Sequence, residues 1–255
     1  MQFIQTAVNI FNRYSSMFLD GVVSTLIVSL IGTIIGLIIG LVIGVIRTMP
    51  KSKHAIVRAI QNVINALISV YIEVFRGTPM MVQAMVIYWG FAFAAGGKTL
   101  PLMPAAILIV SINTGAYISE IVRGGIISID KGQFEGAHAI GMSHFQTMIH
   151  VVLPQVLRNI LPAVSNEFVI NIKDTSVLNV IGVTELYYQS YSIAQINYKV
   201  FETFAITCVI YFILTFTVTR ILRFIEKKLD GKENYTIFGS QTNPDAEIHI
   251  KGEGN

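Results

Sequence analysis

Only one cysteine, Cys208, occurs among the 255 residues. An intramolecular disulfide and a multi-cysteine metal site are therefore both excluded. Charge is scarce as well: 13% of the residues are Asp, Glu, Lys or Arg, against 53% apolar. With a mean hydropathy of +0.63, that balance does not suit an ordinary soluble domain. The net charge is only +3, which gives a nucleic-acid partner little support. The scarcity is also uneven. From Val22 to Ile46 there is no ionisable side chain for 25 residues, and about 20 apolar residues suffice to cross a bilayer core. A cleaved signal peptide would carry an apolar stretch about half as long, followed by a small-residue cleavage site. Here the run passes straight into a basic stop, Arg47 to His54, and reads as a retained span. No part of the chain has the length or pattern of a separate globular domain.

The expected fold is an all-α integral membrane protein with five transmembrane helices. The spans are Gly21 to Ile46, one crossing within His54 to Gly97, Leu102 to about Val122, Ile160 to Gly182, and Thr203 to Ile221. The second segment is too long for one straight helix and too short for two helices and a turn. Charge placement decides its parity. Arg47, Lys51, Lys53, Arg58, Arg123, Lys131, Arg158, Arg220, Arg223, Lys227, Lys228 and Lys232 fall on one side, against Arg13, Lys98 and Lys199 on the other. Cytoplasmic loops collect Lys and Arg, so the rich side is cytoplasmic, the N-terminus outside and the C-terminus inside. The asymmetry holds only if His54 to Gly97 crosses once, with a break at Gly77-Thr78-Pro79, where proline removes a helical hydrogen bond.

This reading gives an extracytoplasmic segment over 1–20, a membrane domain over 21–230 and a polar, mobile tail over 231–255. Gly32, Gly36, Gly40 and Gly44 form one ridge of the first span and point to close helix packing. Ala92 to Thr99 imitates a phosphate-binding loop, but Ala92 stands where the first glycine is required and the stretch ends an apolar helix. No nucleotide site is expected in this chain, and ATP hydrolysis is not.

A cytoplasmic loop over 124–158 carries the most information. Two short helices meet at a turn: Asp130 caps the first, with Gln133 three residues on, and Ser143 caps the second, with Gln146 three residues on. Gly141 ends the first helix and reverses the chain. Pro154 is expected to end the second helix. Within this hairpin Glu135-Gly136-Ala137 is followed by three residues, Gly141, nine residues, then Val151, one residue, and Leu153-Pro154. That pattern resembles the EAA loop of bacterial ATP-binding-cassette (ABC) importer permeases. The departures are Gly136 for the first alanine and Val151 for isoleucine. Gly136 weakens its helix by about 1 kcal/mol relative to alanine. Glu73 to Gln83 and Lys173 to Leu186 are similar to segments of the polar amino-acid permeases, and the likeness covers about residues 15–228.

The resemblance implies a five-helix subunit paired with a second permease subunit, identical or related, with two cytoplasmic ATPase subunits and an extracytoplasmic amino-acid-binding protein. ATP and magnesium would belong to the ATPases, and this chain would need no cofactor or metal of its own. Glu135, Gly136, Ala137, Gly141, Val151, Leu153 and Pro154 would couple to the ATPase.

Charges at membrane depth are costly and usually face a cavity or a partner. In the fourth span Glu167, Asn171 and Asp174 fall within about 60° of one another on a helix, with Lys173 about 100° away. Glu167, Asn171, Lys173, Asp174 and Arg76 are therefore candidates for the route of a zwitterion. The structural alternative is that Lys173 and Asp174 satisfy one another or a break in the helix. Glu73 and Arg76, one turn apart beside Gly77, Thr78 and Pro79, read better as an ion bridge that fixes the break. His138, His144 and His150 are spaced poorly for a metal site. An ion- or proton-coupled secondary transporter would use Glu167 and Asp174 as carriers, but the odd span count and lack of an inverted repeat weigh against it. A membrane-embedded enzyme finds no metal or nucleophile motif.

Overall fold

The computed structural model describes residues 2–229. The polar tail over 231–255 lies outside them. The described chain is helical: α1 (Gln2–Thr48), α2 (Ala55–Gly77), α3 (Met80–Ala94), α4 (Leu102–Ile127), α5 (Lys131–Ala139), α6 (His144–Thr147), α7 (Leu153–Asp174), α8 (Leu186–Asn197) and α9 (Val200–Leu229). A π-helical turn, Met148–Val152, joins α6 to α7, and a 3₁₀ segment, Thr175–Ile181, follows α7. Five stretches are long and apolar enough to cross a membrane: α1, α2, α4, His144–Ile181 and Val200–Lys228.

The glycine ridge sets the arrangement. A Cβ added at Gly32, Gly36, Gly40 or Gly44 would come within 2.9 Å of Val110, Thr114, Ile118 or Val122, respectively. The two rows advance together at a spacing of four, so α1 and α4 are parallel and pack nearly backbone to backbone. Parallel packing means that the chain between them returns once, which agrees with the single crossing expected for His54 to Gly97. The break lies where expected, with α2 ending at Gly77 and α3 beginning at Met80. In α7, Asn171 meets Thr114 while Val156 and Ile160 meet Gly125, so α7 is antiparallel to α4. At the start of α9 the Phe201 ring lies 5.4 Å from Phe3, and farther along Ile206 and Ile210 pack beside Ile10 and Phe18. α9 is therefore parallel to α1. Crossing directions alternate, and Gln2 and Leu229 lie at opposite ends of the bundle.

Three features differ from the sequence expectation. Residues 2–20 are helical and continuous with the first crossing, changing direction at Tyr14, whose φ of −116° and ψ of 20° leave the helical region. Pro154 does not end a helix. It stands in the first turn of α7, because the preceding π turn takes the Leu153 N–H to the Met148 carbonyl. That wider turn accommodates the missing N–H of proline, and Gln155 Nε2 donates to the Val151 carbonyl at 2.7 Å. The third feature is α8, a twelve-residue helix that no periodicity announced.

Candidate functional site

The hairpin forms from local chemistry. Asp130 accepts from the Gly132 amide at 2.7 Å and caps α5. Past Ala139 the chain closes with Met142 N donating to Ala137 O and Gly141 N to His138 O, both at 3.0 Å, and Gly141 takes φ +82°. This is the Schellman closure that a left-handed glycine permits. Ser143 then opens α6 with a reciprocal capping box: Gln146 N donates to Ser143 Oγ at 3.3 Å and Ser143 N to Gln146 Oε1 at 2.8 Å. Ala137 is buried and Val152 is fully buried, whereas Glu135, Gly136 and Gly141 are exposed. Val151 and Leu153 are half-buried, and Pro154 is exposed. Two residues that the pattern did not single out flank the corner. Ile140 is 79% and Phe145 69% exposed, so the tip presents apolar side chains without cover from this chain. Gly125 of α4 and the Val156–Ile160 edge of α7 anchor the hairpin to the bundle.

Next to the hairpin, Glu120 of α4 receives Arg47 from α1 on one oxygen and Arg123 on the other, the latter at 2.9 Å. Glu120 is thus the acid of two ion pairs. The bridge expected between Glu73 and Arg76 is not one of them. Glu73 is exposed, and the Arg76 guanidinium lies 5.5 Å from the centre of the Tyr117 ring. An amide holds the break instead: Gln83 Nε2 reaches the carbonyls of Phe75 and Thr78, each at 2.9 Å, while its oxygen accepts from Asn113 at 2.8 Å. These are the carbonyls freed where the helix stops, and Gln83 is itself buried. Gly77 has open space around it and Thr78 donates its hydroxyl to Val74 O.

The fourth crossing divides its polar residues by task. Asn171 is 4% exposed, and its amide donates to Thr33 Oγ1 at 2.8 Å and Thr114 Oγ1 at 3.0 Å. It fastens α1, α4 and α7 together, and its polar group is occupied by that packing. Glu167, Asp174 and Arg76 all act electrostatically on the Tyr117 hydroxyl. Three helices therefore bring two carboxylates, a guanidinium and a phenol to one region. Lys173 is directed elsewhere and lines a separate cavity against α9. Another acid was missed by sequence reasoning. Glu185, with no exposed surface, caps α8 through the amides of Tyr187 and Tyr188 at 2.9 and 2.8 Å and receives the Tyr211 hydroxyl at 3.0 Å. Among the described residues no group of three His, Cys, Asp or Glu is placed to hold a metal.

Comparison with known proteins decides the family. Residues 54–231 match the model of the binding-protein-dependent transport system inner membrane component. The chain belongs to that family. Among its relatives, the glutamine transport system permease protein GlnP of Escherichia coli strain K12 is 42% identical over 160 residues, covering 63% of this chain and 73% of the relative. The L-cystine transport system permease protein TcyB of Bacillus subtilis is 39% identical over 163 residues, covering 64% and 69%. A crystal structure of an amino acid ABC transporter with histidines superposes with a TM-score of 0.72 at 34% identity, covering 86% of this chain and 96% of that one. The membrane component thus carries its family's matched region from the start of α2 to the end of α9, and the all-helical, multi-pass fold agrees with that membership.

Proposed function

We propose that this membrane component is the permease subunit of an ABC importer that moves an amino acid across the cytoplasmic membrane of a bacterium. The observation that carries the reading is the hairpin: a glycine corner closed by backbone hydrogen bonds, with Ile140 and Phe145 bare on either side of it. Exposed aliphatic and aromatic side chains at a rigid tip suit insertion into a groove of another protein. Glutamine and cystine in the names of the relatives support an amino acid as cargo. The arrangement of Arg76, Tyr117, Glu167 and Asp174 supports the same class, since fixed charges of both signs can replace the water around an ammonium and a carboxylate.

In this proposal two ATPase subunits bind ATP and magnesium on the cytoplasmic side and receive the hairpin through Glu135 to Pro154. A second permease subunit, identical or related, completes the core. An extracytoplasmic binding protein delivers the amino acid. Closure of the ATPases moves the hairpins, and the crossings behind them exchange an outward for an inward opening. The N-terminus is outside and the C-terminus inside, because the basic ends of α1, α4 and α9 lie together with the hairpin.

Proteoliposomes containing the permease with its ATPase and binding protein test this. Uptake of tritiated L-glutamine or L-cystine that needs internal ATP and survives a protonophore is the expected result. Uptake that ignores ATP and collapses with the protonophore rejects it in favour of an ion-coupled carrier.

A further inference from the structure

Between α7 and α9 a cavity of about 320 Å³ opens on the surface of the protomer. Its charged groups are all cations: Lys173 comes from α7, Arg220 and Arg223 from α9, and no acidic side chain lines it. The ion pairs at Glu120 leave all three out. Asp174, beside Lys173 in the chain, shares its field but does not line the cavity.

Helix geometry brings these cations together. Side chains on a helix lean towards its N-terminus, and α7 and α9 are antiparallel. Lys173 therefore leans back to the level of Val169, and Arg220 back to the level of Phe216, from opposite directions. The Arg220 guanidinium carbon does lie 4.9 Å from the centre of the Phe216 ring, and both Val169 and Phe216 line the same cavity. A lipid-facing arginine extends towards the nearer end of its helix to reach water. The nearer end here is Leu229, whereas Arg220, exposed on the protomer, reaches back one turn towards Phe216. Two hydroxyls complete the lining. Thr215 and Thr219 donate to the carbonyls of Tyr211 and Thr215, which leaves their oxygens free to accept.

We propose that this cavity is a carboxylate-binding station on the translocation route, in which Arg220 and Arg223 hold the α-carboxylate of the passing amino acid. Lys173 adds a third positive charge, and the two threonine oxygens accept from the ammonium. The station thus recognises the part that all amino acids share and leaves the side chain unread. Planar guanidinium groups suit a carboxylate because they present paired donors. The proposal rests on the amino-acid reading above and adds to it a location and two residues of α9.

The test uses the full assembly in proteoliposomes made from neutral lipid or from neutral lipid with an anionic phospholipid, with tritiated L-glutamine and L-cystine as probes. The double variant Arg220→Gln, Arg223→Gln is expected to lower uptake about tenfold or more in both lipids, with the ATPase still co-purifying. The double variant Arg220→Lys, Arg223→Lys is expected to recover part of the loss. Lys173→Gln, on the opposite wall, should show a defect of the same kind. Unchanged uptake by the double glutamine variant overturns the station. A defect confined to anionic lipid also overturns it, because the cavity then holds a lipid headgroup. If the double glutamine variant fails to assemble, normal uptake by Lys173→Gln overturns the station and reduced uptake supports it. A wild-type assembly that imports no amino acid at all rejects the underlying transport reading instead, and so is told apart from failure of the station.

Discussion

Gly40 of α1 lies against Ile118 of α4 so closely that a Cβ built on the glycine would sit 2.6 Å from Ile118 Cγ2 and 2.9 Å from the Ile118 carbonyl carbon. Backbone lies on the far side of that contact, so the neighbour cannot yield by a rotamer change. The same relation repeats one turn above at Gly36 and one turn below at Gly44. Gly40→Leu is therefore expected to separate α1 from α4, costing about 1–3 kcal/mol. Gly90→Ala, at a helical position with open space around it, should cost no stability and raise it slightly. Thermal unfolding of the detergent-purified protein, followed by size-exclusion, measures the difference. Equal stability of the two variants would refute the close packing of these helices.

Gln83 supplies both donors and acceptor at the break between α2 and α3. Gln83→Leu keeps the volume but removes the donor to the Phe75 and Thr78 carbonyls and the acceptor for Asn113, whose amide keeps only a 3.4 Å contact to the Phe75 carbonyl. The expected loss is about 1–3 kcal/mol, seen as a lower melting temperature with uptake reduced in parallel. A Gln83→Glu variant keeps the acceptor alone and should be intermediate or worse.

Glu120 takes two arginines, one from each of the parallel helices it joins, and is about one-fifth exposed. Glu120→Gln should destabilise the assembly by about 1 kcal/mol and make the remaining stability less sensitive to salt, since the screened attraction is gone. Melting at low and high ionic strength reads both effects.

The two glycines of the hairpin should respond oppositely. Gly141 has φ +82°, where an L-residue costs about 1–2 kcal/mol, so Gly141→Val is expected to weaken co-purification of the ATPase while the bundle stays folded. Gly136 is helical, with nothing within 4 Å of where a Cβ would stand, and Gly136→Ala should strengthen α5 by about 1 kcal/mol with coupling preserved.

Lys173→Met removes a cation from the wall between α7 and α9. Assembly should persist while ATP-driven uptake is abolished. Normal uptake at normal expression removes Lys173 from the route.

Patterns that depend on one element were legible in the sequence. The caps at Asp130 and Ser143 and the reversal at Gly141 follow from local hydrogen bonding, and the structure places each where its residues require. The spacing-four glycines announced a ridge, and the break at Gly77-Thr78-Pro79 announced itself through proline. Patterns that depend on a second element were not. Val110, Thr114, Ile118 and Val122 repeat at the same spacing as the glycines, yet nothing in either row alone names the other. Gln83 is an uncharged amide inside an apolar run and carries no periodic signal. Glu185 was overlooked because glutamate is a poor helix cap by preference, although the burial of Tyr211 beside it makes it serve. Pro154 looks like a stop from sequence because the π turn before it cannot be inferred from residue types. Spacing offers Arg76 both a bridge to Glu73 and a place on the route, but cannot show the aromatic face of Tyr117, which lies on another helix.

In the proposed function the Gly141 corner faces the cytoplasm and engages the ATPase. Ile140→Cys in a Cys208→Ser background places a lone thiol on the exposed tip. Labelling with a membrane-impermeant maleimide is compared between intact cells and inside-out vesicles. Labelling is expected in inside-out vesicles alone, with protection when the ATPase is bound. Labelling in intact cells would place the corner outside and contradict it.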